Sequence, residues 1–573
     1  MKFLLTYLKP FKKRMAVGLT IKIAGTVVEL FLPYILTHIL DNVIGTLRIE
    51  KVVFWGIMMI ICAAAACAGN IIANRMAAKT SKDFSKKMRK DLFAKTLYLS
   101  EAQTDAFTIP SLESRITSDT YNVHNFVSMM QRMGVRAPIL LIGGMAISFL
   151  MDPSLALIML ATLPFIFITV YSISRNGIPL YAKVQERVDS MVRVVREDTQ
   201  GIRVIKALSK NDYENRRYDE VNLALSKEER KAGTIMGSVN PIMTLLMNLG
   251  ITAVVAVSAF TVAKGISTPA TVIAFVQYFT LISMAMMVIS RIFVMYTKCA
   301  ASAKRISEVL ETPDSFFVTE DSSESDDKNF ISFENVSFSY LGKKNNIDNL
   351  SVSVTKGGTL GIIGATGSGK STFAKLLMRS YEADSGKIRI GGKDLTSYSR
   401  EELTSLFGVA LQNDFLYADT IRENISFGRE LSEDEIRRAA KIAQAEDFIE
   451  ALPEKYEHVI APKGTNLSGG QRQRLLIARA VATKPDIIIL DDSSSALDYK
   501  TDAALRKALD SELSGSTVIT IAQRVSSVKN CGEILVLDNG KIIGRGTHEE
   551  LLETCPEYKE ISDSQMGGAF LDE

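Results

Sequence analysis

Cysteine is scarce in this 573-residue chain. The five cysteines are Cys62, Cys67, Cys299, Cys531 and Cys555. Their spacing matches neither a set of metal ligands nor a disulfide framework. Two of them lie inside an apolar run, where cysteine acts as a small packing residue. The sequence therefore predicts neither a cysteine metal site nor a disulfide-stabilised fold.

The chain also lacks an excess of charge of either sign. Its 67 Lys and Arg residues face 64 Asp and Glu residues, which leaves a net charge of +3. So small a net charge argues against nucleic acid as a partner. A cleavable signal peptide is not evident, because residues 1–14 mix aromatic, Leu and Lys residues in a pattern typical of an interfacial helix.

Long apolar runs, by contrast, are abundant in the first half of the chain. Hydrophobic residues make up 47% of the sequence and the mean hydropathy is +0.13, which is high for a soluble protein. Runs of the length that spans a bilayer, about 20 mostly apolar residues, occur repeatedly. In chain order the candidate spans are Met15–Ile44, Val52–Ile72, Val135–Met151, Leu155–Ile173, Ile242–Ala263 and Ala270–Val294.

The connections between these runs alternate in length and charge. Those after the first, third and fifth runs are short. Those after the second and fourth extend over roughly sixty residues and carry about a dozen Lys and Arg each. By the positive-inside rule, the long connections and both termini are cytoplasmic. We therefore expect a multi-pass protein in the lipid bilayer of a bacterial plasma membrane.

The two long connections are predicted to be helical. Ala73–Leu99 and Ala182–Lys231 keep a helical mix of apolar and charged residues with little Gly or Pro. The membrane helices are thus expected to continue into the cytoplasm and turn there. Pro110–Tyr121 and Gly201–Lys210 lie near the expected tips. Each either docks on a soluble domain or belongs to a solvated helical hairpin, and the sequence leaves both open.

Two ionisable residues interrupt the first apolar run. Lys22 and Glu29 are seven positions apart and share one face of a helix. An ionisable residue inside a span indicates a function, here the lining of a cavity that contacts substrate. For Lys22 the alternative is snorkelling to the cytoplasmic interface, since it lies about 10–12 Å of helix rise beyond Arg14. Glu29 in such a cavity would favour cationic compounds.

The character of the chain changes after residue 310. Residues 311–329 are rich in Pro, Asp, Glu and Ser, which is typical of a linker. Beyond them, short apolar runs predict strands, two of which are continuous enough for a buried parallel sheet. The predicted strand segments are Phe330–Tyr340, Ile347–Val354, Thr359–Ile363, Ile487–Leu490, Thr517–Ile521 and a hairpin over Ile534–Ile543.

One stretch of the second half fits the phosphate-binding pattern G-x-x-x-x-G-K-[ST]. It consists of Gly364, Ala365, Thr366, Gly367, Ser368, Gly369, Lys370, Ser371 and Thr372. It lies between a predicted strand and a predicted helix, so backbone N–H groups and the helix dipole point at the phosphates. Lys370 is expected to reach the β- and γ-phosphates of ATP, and the Ser371 hydroxyl to bind Mg²⁺. A glycine-rich turn without a ligand is the disfavoured alternative.

Two further motifs follow this P-loop. Asp491 ends an apolar run and is placed as the Walker B acid that helps to hold Mg²⁺. Before it, Leu467, Ser468, Gly469, Gly470 and Gln471 open a predicted helix. A serine and two glycines at a helix start form a second anion site. Alone this second motif is compatible with an ordinary capped turn, but between a P-loop and a Walker B acid it is specific.

With these motifs in this order behind six spans, the chain resembles the half-transporters of ATP-binding cassette (ABC) exporters, of the multidrug and lipid-flippase type. The resemblance covers nearly the whole chain. It implies an all-α transmembrane domain of six long helices over residues 1–310, a linker over 311–329 and an α/β P-loop nucleotide-binding domain over 330–573. It also implies a dimer in which each ATP is sandwiched between the P-loop of one chain and the signature Leu467–Gln471 of the other.

The same resemblance assigns roles to further residues. Tyr340 matches the aromatic residue that stacks on adenine. Gln412 matches the Q-loop glutamine near Mg²⁺ and the coupling helices. Pro110–Tyr121 and Gly201–Lys210 match the two coupling-helix regions. The D-loop is matched by Ser495, Ala496, Leu497 and Asp498.

The catalytic positions depart from the family pattern. The residue after the Walker B acid is usually Glu, the base that polarises the attacking water, and here it is Asp492. The shorter carboxylate is expected to fall about 1–1.5 Å short of that water, a misplacement that can cost about 100-fold in rate. The switch-loop residue is usually His, and here it is Gln523, which cannot become cationic or shuttle a proton. Residues 459–464 also lack the acidic residues usual before the signature.

These departures predict a site that holds ATP well and hydrolyses it slowly. They resemble the degenerate-site subunit of heterodimeric ABC exporters, so a second half-transporter is the expected partner and a small amphipathic compound the expected substrate. The alternatives are an active site that tolerates both substitutions, a homodimeric exporter of lipid, drug or peptide with reduced turnover, and a membrane-anchored regulatory ATP sensor.

Overall fold

The described residues form two compact units. The computed structural model describes residues 2–265, 267–319, 329–340, 342–412, 414–493 and 495–566. Unit 1 comprises Met1–Tyr98 and Thr108–Thr312, and unit 2 comprises Leu99–Phe107 and Pro313–Glu573. The acidic centre of the predicted linker, residues 320–328, lies outside the described residues.

Helices build the first 312 residues. Among the described residues, six helical segments are long and apolar enough to cross a membrane, which confirms the predicted number of spans. These segments are Phe3–Thr46, Ile49–Leu97, Ile109–Met151, Pro153–Ala207, Asn211–Ala263 and Pro269–Leu310. The individual helices are α1 (Lys2–Leu8), α2 (Lys12–His38), α3 (Ile49–Leu97), α4 (Glu101–Phe107), α5 (Ile109–Ser114), α6 (Thr120–Arg132), α7 (Arg136–Met151), α8 (Pro153–Ala207), α9 (Asn211–Gly237), α10 (Val239–Ala263) and α11 (Pro269–Leu310).

The membrane helices extend well beyond a bilayer, as the helical patterns predict. Helix α3 has 49 residues and α8 has 55. At a rise of about 1.5 Å per residue both are more than twice the thickness of a hydrocarbon core of about 30 Å. The predicted segment Gly201–Lys210 contains the end of α8 and the turn to α9.

Pro110–Tyr121, the other predicted tip, lies in unit 1 and packs on α11. Arg115 Nη1 donates to the carbonyl of Arg305 at 2.7 Å, and Asp119 accepts from Ser302 Oγ at 2.8 Å. The segment before Thr108 that belongs to unit 2 is instead Leu99–Phe107, which contains α4. The backbone between these two segments takes a positive φ of +64° at Thr108.

The described strands of unit 2 form two sheets. The strands are β1 (Ile331–Phe338), β2 (Ile347–Val354), β3 (Thr359–Gly364), β4 (Ser385–Ile390), β5 (Lys393–Asp394), β6 (Phe407–Ala410), β7 (Ile487–Asp491), β8 (Thr517–Ile521), β9 (Glu533–Asp538) and β10 (Lys541–Gly546). One sheet has the order β2-β1-β4-β5 and is antiparallel. The other has the order β10-β9-β3-β8-β7-β6 and is parallel except for the hairpin strand β10.

The larger sheet brings the motifs to one edge. Strands β3 and β7 are parallel and separated by β8 alone, so their carboxyl ends lie at the same edge of the sheet. The residues that follow β3 form the P-loop, and β7 ends at Asp491. The helices around the sheets are α12 (Lys370–Leu377), α13 (Arg400–Ser405), α14 (Ile421–Ser426), α15 (Glu433–Ile442), α16 (Glu446–Glu450), α17 (Gly469–Val481), α18 (Tyr499–Glu512), α19 (Val525–Val528), α20 (His548–Thr554) and α21 (Pro556–Met566).

Candidate active site

A pocket of about 300 Å³ lies at this edge of the sheet. It gathers predicted residues from five separate parts of the chain. Its lining includes Tyr340, Thr366, Gly367, Gly369, Lys370, Ser371, Thr372, Gln412, Asp491, Asp492 and Gln523. The P-loop, the Q-loop glutamine, the Walker B pair and the switch-loop position therefore meet in one place.

Two P-loop glycines are required by close backbone contacts. A Cβ on Gly369, whose φ is +104°, would lie 2.6 Å from the carbonyl oxygen of Asn346. A Cβ on Gly364 would lie 2.1 Å from the carbonyl oxygen of Leu537. Neither contact is possible for a side-chain carbon, so both positions need glycine for the loop to curl at the end of β3.

Lys370 is buried beneath this loop. Its Nζ donates to the carbonyl oxygens of Gly364 at 2.7 Å and Ala365 at 2.8 Å. Burial lowers the pKa of Lys370, and the charges of Asp491 and Asp492 oppose that shift. The ammonium group is thus held at the P-loop, where the charge of a phosphate would stabilise it.

Asp491 ends β7 and is 6% exposed. Burial raises its pKa, while a hydrogen bond from Ser371 counteracts that rise. Asp491 and Ser371 therefore place a carboxylate and a hydroxyl side by side. Together with the side-chain oxygen of Gln412 in the same pocket, they offer the hard oxygen ligands that Mg²⁺ prefers.

Asp492 connects three motifs through its own atoms. Its carboxylate Oδ2 accepts a hydrogen bond from Gln412 Nε2 at 3.1 Å. Its carbonyl oxygen accepts from Gln473 Nε2 at 3.1 Å and from Ser495 Oγ at 2.9 Å. Its φ of +49° is a left-handed conformation that aspartate adopts more readily than most residues. Burial raises the pKa of Asp492, and the hydrogen bond from Gln412 opposes the rise.

Tyr340 and Gln523 lie on opposite elements of the pocket wall, after β1 and after β8. Tyr340 is 39% exposed, and its Oη donates to Thr372 Oγ1 at 3.3 Å. Gln523 is exposed, and its backbone carbonyl accepts from Gln565 Nε2 at 2.9 Å. An exposed aromatic ring beside the P-loop suits the stacking of a nucleobase.

The signature motif packs on the D-loop and does not line this pocket. Ser468 caps α17: its Oγ accepts from the backbone N–H of Gln471, and the Gln471 side chain accepts from the N–H of Ser468. A Cβ on Gly470 would lie 3.2 Å from the carbonyl oxygen of Ala496. Asp498 caps the next helix, α18, by accepting from the N–H of Thr501 at 2.9 Å. A nucleotide in the pocket therefore leaves this chain's own signature free for another ligand.

Comparison with known proteins decides the family. Residues 15–286 match the ABC transporter transmembrane region, and residues 347–495 match the ABC transporter family. The uncharacterized ABC transporter ATP-binding protein YfiB of Bacillus subtilis is 35% identical over 566 residues, which cover 98% of both chains. The chain belongs to the ABC transporters.

Other relatives agree over the full length. The putative ABC transporter ATP-binding protein exp8 of Streptococcus pneumoniae is 30% identical over 99% of this chain and 97% of its own. The solved structure of a bacterial Atm1-family ABC exporter with ATP bound has a TM-score of 0.81 over 96% of this chain and 97% of its own, at 23% identity, which establishes the fold. The chain is a multi-pass membrane protein of this family, and its ABC ATPase domain binds and hydrolyses ATP in the cytoplasm.

The transporter's two candidate cavity residues are held by partners that the sequence did not indicate. Lys22 is 2% exposed, and its Nζ donates to Asn70 Oδ1 at 2.7 Å and Asn74 Oδ1 at 3.1 Å. Glu29 accepts from Arg136 Nη2 at 2.6 Å. The charge of Glu29 is therefore neutralised within unit 1, which removes the reason to expect a preference for cationic compounds.

Helix α4 docks on the nucleotide-binding face of unit 2. Glu101 forms an ion pair with Lys375 of α12 at 3.1 Å, and Gln103 Nε2 donates to the carbonyl of Pro313 at 2.9 Å. Tyr381 donates its hydroxyl to Asp105. Burial raises the pKa of Tyr381 well above its usual range, and the hydrogen bond to Asp105 adds to the rise.

Sequence reasoning missed two residues of this site and one helix that packs beside it. Asn346 lines the pocket, and its Oδ1 accepts from the N–H of Tyr340 at 3.2 Å. Gln473 binds the backbone of Asp492 from α17. The helix is α4. A signal existed for Asn346, which lies in the turn between the two predicted strands beside Tyr340, whereas the contacts of Gln473 and α4 depend on tertiary packing.

Proposed function

We propose that this chain is one half of a heterodimeric exporter of small amphipathic compounds, in which its own P-loop and Walker B residues form the slow ATP site. The hydrogen bond from Gln412 to Asp492 is the observation that carries this proposal. It occupies one oxygen of a carboxylate that is already one methylene shorter than the usual glutamate. Asp492 is thus hydrogen-bonded to the Q-loop glutamine, whereas a general base must direct its carboxylate at the attacking water.

The opposite side of the pocket supports the same conclusion. Gln523 stands where a histidine would contact the γ-phosphate, and an amide only donates a neutral hydrogen bond. Hydrolysis needs both a positioned base and stabilisation of the developing phosphate charge. Both functions are weakened in this pocket, and the groups that grip nucleotide are intact.

Mg²⁺ belongs to the same proposal. Ser371 and Asp491 already share a hydrogen bond, and Gln412 lies in the same pocket, so their oxygen atoms would hold the ion. Bound Mg²⁺ neutralises the charge of the β- and γ-phosphates. The chain's own residues position the nucleotide: Tyr340 holds the base, and Lys370 and the P-loop amides hold the phosphates.

In this proposal, the signature motif of this chain contacts the nucleotide that is bound to the P-loop of the partner. Ser468 and the glycines after it are arranged as an intact capped helix start, and the cap does not use the N–H groups of Gly469 and Gly470, which can face an anion. A partner half-transporter would present its own P-loop nucleotide to this surface, and that composite site would carry most of the hydrolysis.

The test is the turnover of the purified pair. We expect Asp492→Asn to leave most of the ATPase activity, and replacement of the partner's acid at the corresponding position to lower it by about 100-fold. Asp492→Glu combined with Gln523→His should raise turnover, because it restores the longer base and a group that can become cationic. ATPase rates in lipid nanodiscs measure all three variants.

Lys370→Ala is the matched control, because it removes a phosphate ligand without touching the base. It should lower nucleotide occupancy of the slow site as measured with a photoreactive ATP analogue. If the partner's substitution leaves ATPase activity intact, the asymmetry is absent. Brisk turnover and transport by this chain purified as a homodimer would favour the homodimeric alternative, and nucleotide binding without any transport would favour the ATP sensor.

A further inference from the structure

The charged side chains around Lys22 in unit 1 are unequal in sign. Lys22 lies within electrostatic range of Arg132, Arg136 and Glu29. These three cations and one carboxylate leave an excess of positive charge beside the apolar segments of unit 1. Membrane proteins keep such groups where they face a cavity or a ligand.

The single carboxylate is committed to one of these cations. Glu29 Oε1 accepts from Arg136 Nη2 at 2.6 Å, and Oε2 accepts from Arg136 Nε at 3.3 Å. This bidentate contact uses one edge of the guanidinium. The Nη1 atom on the other edge makes no hydrogen bond with any described residue, and the Arg136 side chain is 29% exposed.

Arg136 also lines a small cavity between α7 and α11. Its volume is about 60 Å³, which is above the minimum of about 10–15 Å³ that one water molecule needs. The other described residues of the lining are apolar, among them Leu140, Leu281 and Met284. Met284 is 55% exposed, so the cavity wall continues onto an apolar surface of unit 1. A guanidinium beside an apolar wall matches a molecule with an anionic head and an apolar tail.

We propose that Arg136 binds the carboxylate or phosphate head of an anionic amphipathic compound, with the apolar part along α7 and α11. This inference rests on the proposed export function and names its substrate class. Glu29 fixes the guanidinium in place and acts as an internal competitor, since its negative charge repels the incoming anion. Lys22 and Arg132 add attraction from nearby, and the same excess of positive charge disfavours cationic compounds.

Equilibrium binding without nucleotide tests the site. Radiolabelled dodecyl phosphate is the probe, and the full-length chain as purified from membranes is placed in phosphatidylcholine nanodiscs. Arg136→Gln should weaken binding about tenfold or more, because a charge-assisted pair is lost. Glu29→Gln should tighten it several-fold. Dodecyltrimethylammonium, a cation with the same tail, should not compete. ATP hydrolysis is not measured, so a failed exporter proposal does not affect this result.

Two further variants keep the test falsifiable. The double variant Glu29→Gln with Arg136→Gln leaves no unpaired charge behind, so it should fold and still bind weakly. Lys51→Gln changes the charge equally in the first turn of α3, away from the cluster, and should bind as the unchanged protein does. Equal binding by the double variant, equal weakening by Lys51→Gln, or a preference for the cation would overturn the proposal.

The source of the anion is decided in the same assay. Phosphatidylglycerol is added as a competitor to the unchanged protein and to the double variant. If it displaces dodecyl phosphate from the unchanged protein but leaves the weak binding of the double variant unaffected, the head group is that of a membrane lipid. If phosphatidylglycerol does not compete, the ligand is a free amphiphile. Both results support anion binding at Arg136.

Discussion

Asp492 shows how a single residue serves several motifs at once. Its carboxylate faces the Q-loop, its carbonyl faces α17 and the D-loop, and its N–H donates to Ile521 of β8 at 2.8 Å. The left-handed backbone at this position makes the divergence of these groups possible. A change in the pocket can therefore reach the signature helix through one residue, by direct hydrogen bonds rather than through a long path.

Tyr340 is the residue on which we expect base binding to depend. Its ring lies at 90° to Tyr381 with the centroids 5.0 Å apart, which holds it in place, and the residue is 39% exposed. Tyr340→Ala should weaken ATP binding about tenfold, since base–aromatic stacking contributes about 1–3 kcal/mol. Tyr340→Phe should bind normally, because the 3.3 Å contact with Thr372 is weak.

Fluorescent-nucleotide titration measures both Tyr340 variants. Tyr499→Ala is the matched control, because this tyrosine is 73% exposed and starts a different helix. A loss of affinity in Tyr340→Phe equal to that in Tyr340→Ala would mean that the hydroxyl, and not the ring, binds the nucleotide.

At the scale of elements, α4 is the helix whose position depends on tertiary contacts. It has only 7 residues, too few to be stable as an isolated helix. Its contacts with Lys375, Tyr381 and the segment at Pro313 therefore stabilise it. Tyr381 also touches Tyr340, so the element that docks and the residue proposed to hold the base share one side chain.

Loss of the Tyr381 hydroxyl should loosen α4. We expect Tyr381→Phe to speed hydrogen exchange over residues 101–107 about tenfold, which corresponds to about 1.4 kcal/mol for a hydrogen bond to a carboxylate. The ratio of transport to hydrolysis should fall as well, if α4 couples the two. Mass spectrometry of exchange is the measurement, and Tyr499→Phe is the control. Unchanged exchange in Tyr381→Phe would show that the hydrogen bond from Tyr381 to Asp105 does not hold the helix.

At the scale of the whole molecule, each unit has a buried core of its own. In unit 2, residues such as Phe333 and Phe373 stack at 4.4 Å beneath the sheets. In unit 1, Tyr278 is fully buried and donates to the carbonyl of Leu30 at 2.7 Å. Because the cores are separate, nucleotide should stabilise one unit directly and the other only through coupling.

Calorimetry should therefore show two unfolding transitions. ATP with Mg²⁺ should raise the midpoint temperature of the transition that belongs to unit 2. At a concentration 100 times the dissociation constant the gain is about 2.7 kcal/mol, or about 5–10 °C for a domain of this size. Lys370→Ala should abolish the shift. Equal shifts of both transitions would mean that the two units unfold as one.

Much of the site follows from local sequence alone. The P-loop, the strand before it, the capped signature helix and the Asn539-Gly540 hairpin were all predicted, because glycine conformations, apolar runs and capping boxes act over a few residues. The six spans follow from apolar run length in the same way.

Only the tertiary structure decided which distant groups meet. Gln412 and Asp492 are 80 positions apart, Glu29 and Arg136 are 107 apart, and Asp105 and Tyr381 are 276 apart. No periodicity links such pairs, because their contact depends on strand order and helix packing rather than on neighbouring residues. The sequence by itself determined that this is a membrane protein with an ATP-binding P-loop. The tertiary structure decided which carboxylates pair with distant residues.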